Sequence, residues 1–333
     1  MTRPLRAPDT SPGARILGVG SYRPTRVVGN AEIAARIDSS DEWITRRTGI
    51  RSRRHAGPDE TIVTMAVEAS LKALAAAGVA PEAVDMVLLA SMSDLQQSPP
   101  TAPRIAHLVG ARSAAALDTG AACAGFSYTL GVADSLIRSG SARHVLVVGS
   151  ERMSDIIDPE DRGTAFLFGD GAGAVVVGRS DRPGIGPVAW GSDGEKAGLL
   201  AHNRSWLAVR DAPHPWPTMR MAGPEVFRWA VHTVPHTARR ALELAGVTAG
   251  DLAAFIPHQA NARIIDGLAK DLGLAEDVVI AREVATLGNT SAASIPMAME
   301  SVLSLGSLPA GSRALLVGFG AGLLYAAQVV ELP

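Results

Sequence analysis

Two stretches of the chain follow one plan, and that plan constrains the fold more than any single motif. Residues 71–91, "LKALAAAGVAPEAVDMVLLAS", and 238–258, "ARRALELAGVTAGDLAAFIPH", each read as a helix ending in Ala-Gly-Val, a polar turn and an apolar strand. Gly78 matches Gly246, an offset of 246 − 78 = 168. The same offset carries Cys123 to Ser291, where "GNTSAASIP" (288–296) is a second small-residue turn opening a helix. Further on, "HVLVVGS" (144–150) matches "RALLVGF" (313–319), with Gly149 on Gly318 at an offset of 169. Matches in this order at nearly constant spacing indicate an internal duplication.

The pattern predicts two pseudo-symmetric α/β halves, residues 15–180 and 181–333, behind a flexible tail at 1–14. "VDMVLLAS" (84–91), "SAAALDT" (113–119) and "HVLVVGS" read as buried strands. "TIVTMAVEASLKALAAAG" (61–78) and "CAGFSYTLGVADSLIRSG" (123–140) read as helices closed by Gly. "GRSDRPGIGP" (178–187) has the Gly/Pro content of a linker. Residues 192–222 have no counterpart in the other half and read as a loop or flap that shapes an entrance.

Composition excludes several functions. With 333 residues, a net charge of −2 and only 4% aromatics, the chain has neither the field nor the stacking surface for nucleic acid. No stretch approaches the roughly 18 apolar residues of a membrane span. The Pro-rich, polar N-terminal residues lack the apolar run of a secretion signal, so the expected location is the cytoplasm. A single cysteine allows no internal disulfide and fits a reducing compartment.

That cysteine, Cys123, sits in "DTGAACAGF" (118–126), where an apolar strand gives way to a helix among alanines and glycines. A lone cysteine is often only a small buried hydrophobe. A strand–turn–helix junction without bulk is also the geometry of a nucleophile elbow. There the helix N-terminus would lower the thiol pKa, and nearby N–H groups could hold an oxyanion. His258, in "FIPHQAN" (255–261), ends a repeat-unit strand, where α/β folds place their sites, although most histidines are structural. Asn289, in "LGNTSAAS", reads as a turn or cap residue, or as one facing Cys123 across a pseudo-twofold axis. "VGFGAGLLY" (317–325) lacks a nucleotide-binding frame and suits a backbone oxyanion turn. His232 and His236 have metal-like spacing, but no acidic ligand accompanies them and Pro235 interrupts, so they read as surface residues.

Together with "SSDEWITRRTGI" (39–50), "DRGTAFLFGDGAGAVVVG" (161–178), "GPEVFRWA" (223–230) and "PHQANARI" (257–264), these segments resemble the β-ketoacyl-[acyl carrier protein] synthase III family of the thiolase superfamily, closest to its actinobacterial branch. The resemblance covers nearly the whole chain. It implies a thiolase-like α-β-α-β-α core, a homodimer, and a Cys123-His258-Asn289 triad needing no metal or redox cofactor. The implied reaction is decarboxylative condensation of an acyl-CoA with malonyl-[acyl carrier protein], initiating type II fatty acid synthesis. Trp43, Arg47 and Arg162 would hold the adenine end of coenzyme A, Asn261 the pantetheine, and Arg263 part of a carrier-protein patch. The oxyanion hole would be the N–H groups of Cys123 and Ala321. Relatives often carry Gly at that second position, and an Ala there at positive φ would be strained. Gln97, Ser98 and Pro99, in place of an aromatic, would gate the neighbouring subunit's acyl pocket and admit starters larger than acetyl. The resemblance also leaves room for a specialised paralogue in a polyketide or antibiotic pathway, or one that transfers acyl groups without condensation. A non-catalytic partner subunit would have lost the nucleophile, and a cysteine hydrolase would need a base and a water path.

Overall fold

The structure, a computed structural model, describes residues 8–333 except 212–214. Ten strands form two five-stranded sheets. The first holds β1 (Gly13–Tyr22), β2 (Met86–Ala90), β3 (Ala115–Thr119), β4 (His144–Glu151) and β5 (Gly171–Ser180), in the order β1-β5-β4-β2-β3. The second holds β6 (Ala189–Ser192), β7 (Ala254–Pro257), β8 (Val279–Ile280), β9 (Arg313–Gly320) and β10 (Leu324–Glu331), in the order β6-β10-β9-β7-β8. In each sheet the first two pairings are antiparallel and the last two parallel. The two sheets therefore match strand for strand, as the duplicated sequence requires.

The apolar side chains alternate between two faces, the signature of strands covered on both sides. Leu88, Val145, Val147, Ile256 and Leu316 face a central core with helices Gly125–Arg138 and Ser294–Ser304. Val87, Leu89, Leu146 and Val148 face the outer helices Ile62–Ala77 and Ala102–Val109. On the other side, Phe255, Leu315 and Val317 face Gly223–Ala245 and Ala262–Leu272. The layers run α-β-α-β-α. Each fully buried Leu, Ile or Val contributes about 1.5–3 kcal/mol by leaving water.

Several details differ from the sequence expectations. β1 begins at Gly13, inside the segment read as a tail, and Asp9 pairs with Arg179 at 2.7 Å; residues 1–7 of that tail lie outside the described residues. β3 is not buried: it is an edge strand, with Leu117 47% exposed. Helix Gly223–Ala245 runs on through Pro235, with His232 and His236 exposed. The segment 192–222 contains a hairpin, Leu200–His202 with Met219–Met221. The counterpart of Cys123 is Ala292 rather than Ser291. Ala122 (φ 45°) and Ser291 (φ 49°) are the matching left-handed residues that open the two turns, so the one-residue slip falls before the elbows.

The repeated glycines explain how the halves join. A Cβ on Gly149 would lie 2.4 Å from the Ala292 carbonyl oxygen, and one on Gly318 would lie 2.7 Å from Ser127 Oγ and 3.2 Å from Ala124 Cα. Each half thus presses its elbow onto a side-chain-free point of the other half's strand. Gly149→Ala is expected to lose about 1–3 kcal/mol through overpacking. Urea unfolding should show a lower midpoint with an unchanged m-value.

Candidate active site

The elbow, the strand ends and residues 160–170 enclose a cavity of about 650 Å³. Cys123, His258, Asn289, Phe319 and Gly320 line its buried end, and Trp43, Arg47 and Arg162 line it nearer the surface. The three polar residues singled out in the sequence therefore share one chamber. Two come from one half and Cys123 from the other.

Cys123 is 3% exposed and belongs to the short turn Ala122–Ala124 that opens helix Gly125–Arg138. Gly320 is as close as a residue can be: a Cβ there would meet Cys123 Cβ at 2.5 Å and Sγ at 3.0 Å. Burial pushes the thiol up to about 11. The buried Glu151 carboxylate adds to this rise, and the polar surroundings of the Ser291 hydroxyl and the Ala321 backbone pull the other way and are outweighed. The lowered thiol pKa expected from a helix start is thus reversed, because desolvation of a thiolate at this depth dominates. Ala321 is not strained: the left-handed conformations fall on Gly322 (φ 76°) and Leu323 (φ 45°).

His258 directly follows β7, its N–H donating to Val317 O at 2.8 Å. Burial pushes its imidazole down to about 3, so the ring is neutral. Its Nδ1 lies 2.7 Å from Ser294 Oγ, which also accepts the Gln259 N–H at 3.3 Å. Where the Ser294 hydroxyl donates to Nδ1, the ring proton sits on Nε2. Phe319 packs edge-on at 5.1 Å and holds the plane. Asn289 is fixed in the same manner. Its Oδ1 accepts the Ser291 N–H at 2.9 Å, leaving the amide NH2 as the free edge. The chamber therefore presents a neutral imidazole and a side-chain amide beside a protonated thiol.

Nearer the surface, Arg47 and Arg162 lie over the Trp43 ring, at 5.4 and 5.5 Å from its centroid. Trp43 meets Phe166 edge-on at 5.3 Å. The fully buried Arg53 holds the Phe166 carbonyl at 2.6 Å, fixing that wall. Asn261 lines the cavity, but its oxygen caps helix Ala262–Leu272 through the Arg263 N–H. Arg263 is exposed, over Phe227 at 5.2 Å. Gln97, Ser98 and Pro99 are exposed and do not line this chain's cavity. Ser294, Phe319 and Gly320 escaped the sequence reading. All three lie inside motifs already flagged, 288–296 and 317–325, but none of these residue types announces a role.

Family models for 3-oxoacyl-[acyl-carrier-protein] synthase III match residues 117–194 and, for its C-terminal part, 242–332. The chain is 53% identical over 324 residues to the β-ketoacyl-[acyl-carrier-protein] synthase III of Streptomyces glaucescens, covering 97% of each. This chain belongs to the synthase III family. It is 49% identical over 321 residues to the synthase III of Mycobacteroides abscessus, covering 96% of this chain and 94% of that one. Among solved structures, it superposes on the priming β-ketosynthase of the R1128 polyketide biosynthetic pathway with a TM-score of 0.97 at 52% identity, covering 99% and 98% of the two chains. The synthase III of Aquifex aeolicus gives 0.88 at 39% identity, covering 96% and 100%. The fold is thiolase-like, and the family is one of acyltransferases. Among the described residues, no helix is long and apolar enough to cross a membrane.

The raised thiol pKa has a direct readout, because Cys123 is the only cysteine. Thiolate is the minor form at every pH below about 11. Alkylation by iodoacetamide should therefore rise about tenfold per pH unit from 7 to 10. A plateau near the ordinary thiol value of about 8.5 would contradict this assignment.

Proposed function

We propose that the protein condenses an acyl-CoA with malonyl-[acyl carrier protein], through an acyl-cysteine on Cys123, to give a β-ketoacyl-[acyl carrier protein] and CO2. The observation that carries this reading is the pair of fixed neutral donors, His258 Nε2–H and the Asn289 amide, beside the thiol. A plain acyl transfer or hydrolysis has no enolate to hold. Decarboxylation of a malonyl thioester creates one, and two preorganised donors in a dry chamber are suited to its oxygen. A neutral imidazole also spares the malonyl group an ion pair that would stabilise the carboxylate it must lose.

In the first half-reaction the Cys123 sulfur attacks the acyl thioester, and the N–H groups of Cys123 and Ala321 receive the tetrahedral oxyanion. In the second, the malonyl thioester oxygen takes their place opposite, on His258 and Asn289. Trp43 with Arg47 and Arg162 offers an aromatic face and two cations to an adenine nucleotide. Asn261 would meet the pantetheine and Arg263 an acidic carrier protein. Synthase III names among the relatives support an initiating role in fatty acid synthesis. The likeness to a polyketide-priming ketosynthase favours a second reading, the same reaction used to prime a polyketide.

The assembly is proposed as a homodimer joined along β3, with Gln97, Ser98 and Pro99 gating the partner's acyl pocket; the exposed edge and loop support it. Intact-protein mass spectrometry with a panel of acyl-CoAs should show one acyl adduct, absent in Cys123→Ala. His258→Ala and Asn289→Ala should keep the adduct and lose about 10²–10³-fold in product formation from malonyl carrier protein. Adducts limited to acetyl would rule out the wider starter range, and free acid released over many turnovers would indicate a hydrolase.

A further inference from the structure

Arginine is almost never fully buried without a partner of opposite charge. Arg53 is such a case, with a side chain closed off from solvent. Among the described residues its hydrogen bonds go to three neutral oxygens: Val28 O at 3.3 Å, Asn30 Oδ1 at 2.9 Å and Phe166 O at 2.6 Å. Burial pushes the guanidinium down to about 10, so it keeps its charge near neutrality. Holding a cation out of water in this way is costly, and the oxygens it reaches show what it does there.

Two of those oxygens lead to the two sides of the cavity mouth. Phe166 lines the cavity and meets the Trp43 ring edge-on at 5.3 Å. Asn30 leads to Trp43 along another route. Its amide nitrogen reaches Asp41 Oδ1 at 2.7 Å, Thr45 Oγ1 at 3.1 Å and Ile50 O at 2.7 Å. These groups mark the start, the middle and the exit of helix Asp41–Thr48, which carries Trp43 and Arg47. That helix has eight residues, of which only Ile44 and Thr48 are buried. A helix so short does not hold itself in water, and its placement comes from such ties. The guanidinium therefore joins the helix to the wall, and the Trp43 ring stands where the two meet.

The stem of Arg53 serves a different neighbour. A Cβ on Gly169 would lie 3.2 Å from Arg53 Cβ, and one on Gly288 would lie 3.1 Å from it. The Gly169 N–H donates to Asn289 O at 3.0 Å, and Gly288 directly precedes Asn289. The stem backs the deep end of the cavity while the guanidinium serves the mouth. Changing the head and keeping the stem separates the two.

We propose that Arg53 is a positioning residue for the nucleotide end of the substrate: its guanidinium holds helix Asp41–Thr48 and Phe166 at one spacing, so that Trp43, Arg47 and Arg162 are set for an adenine nucleotide before it arrives. This role rests on the nucleotide-platform reading given above. Arg53 touches no substrate atom and acts through Trp43 and Phe166. A preset platform binds without the cost of ordering its side chains, so its loss falls on substrate affinity and leaves the chemical step alone.

Arg53→Met removes the guanidinium and keeps an unbranched stem beside Gly169 and Gly288. Asn30→Ala keeps Arg53 and releases the helix, and it carries the same test if Arg53→Met does not fold. Acylation of Cys123 would be followed by quenched intact-protein mass spectrometry over a range of acetyl-CoA concentrations. Acetyl-pantetheine, with the same thioester and arm but no nucleotide, would be run beside it. We expect each variant to need about tenfold more acetyl-CoA for half-maximal acylation, at an unchanged maximal rate. Acetyl-pantetheine should acylate the variants as it does the unchanged protein, which also reports that they are folded. Trp43→Ala should weaken acetyl-CoA in the unchanged protein and add little in the Arg53→Met background. An equal loss with both thioesters would make Arg53 a residue of the fold alone and overturn the proposal. No loss with acetyl-CoA, or a Trp43→Ala effect of the same size in both backgrounds, would also overturn it. Binding of coenzyme A itself, by calorimetry, should fall by the same factor. That measurement tests Arg53 even if no thioester acylates Cys123, so failure of the proposed reaction and failure of this role are told apart.

Discussion

The whole site depends on two turns pressed against two glycines. Gly149 receives the turn at 291–293 and Gly318 the turn at 122–124, at distances that leave no space for a methyl group. Contact this close, with the Ala292 backbone at Gly149 and with Ser127 and the Ala124 backbone at Gly318, fixes the position of one half's elbow relative to the other half's strand ends. Cys123 rides on one elbow and Asn289 leads into the other, so their juxtaposition follows from main-chain packing. Rotamers of long side chains play little part. Gly320 extends the same logic to the sulfur itself, and close-packed interiors transmit such constraints with little slack.

Depth then decides the charge state of everything in the chamber. Burial moves the thiol of Cys123 and the carboxyl of Glu151 up and the imidazole of His258 down. In each case it favours the uncharged form, as removal from water must. The resting thiol and imidazole hold no charge, and transient negative charge develops where N–H groups already point. Donors that need no reorientation are worth most in such a medium. Permanent cations stay at the surface end, with Arg47 and Arg162 on Trp43, where water shares the cost of their charge. Charged side chains and neutral polar groups are thus separated along one cavity.

The duplication was legible because both period and spacing survive: the α/β alternation, the helix-ending glycines and Gly149/Gly318 all recur. The three polar candidates were picked out because Cys123 and Asn289 sit in small-residue turns that open helices and His258 follows a repeat-unit strand. Three things were not. The direction of the thiol shift depends on burial depth, which the helix start at Cys123 does not reveal. The register of the two elbows depends on a one-residue difference in loop length, visible only through the shared positive φ of Ala122 and Ser291. The exposure of β3 could not be seen because "SAAALDT" has the composition of a buried strand, and edge or centre is decided by sheet order.

That strand also argues about assembly. Exposed edges are usually protected by lysine, proline or a bulge. β3, Ala115–Thr119, carries neither Lys nor Pro. Its one charged residue, Asp118, is already engaged: its carboxylate accepts the Thr101 and Ala102 N–H groups, both at 2.7 Å, and so caps helix Ala102–Val109. Leu117, on the same strand, is 47% exposed. An apolar, unguarded edge whose only charge is engaged in capping a helix favours pairing with a second copy about a twofold axis, since the same strand then satisfies both chains. Such pairing would extend two five-stranded sheets into one of ten. It would also seat β3, and the 93–101 segment tied to it through Asp118, against the neighbouring subunit, consistent with the proposed role of Gln97, Ser98 and Pro99 at the partner's acyl pocket.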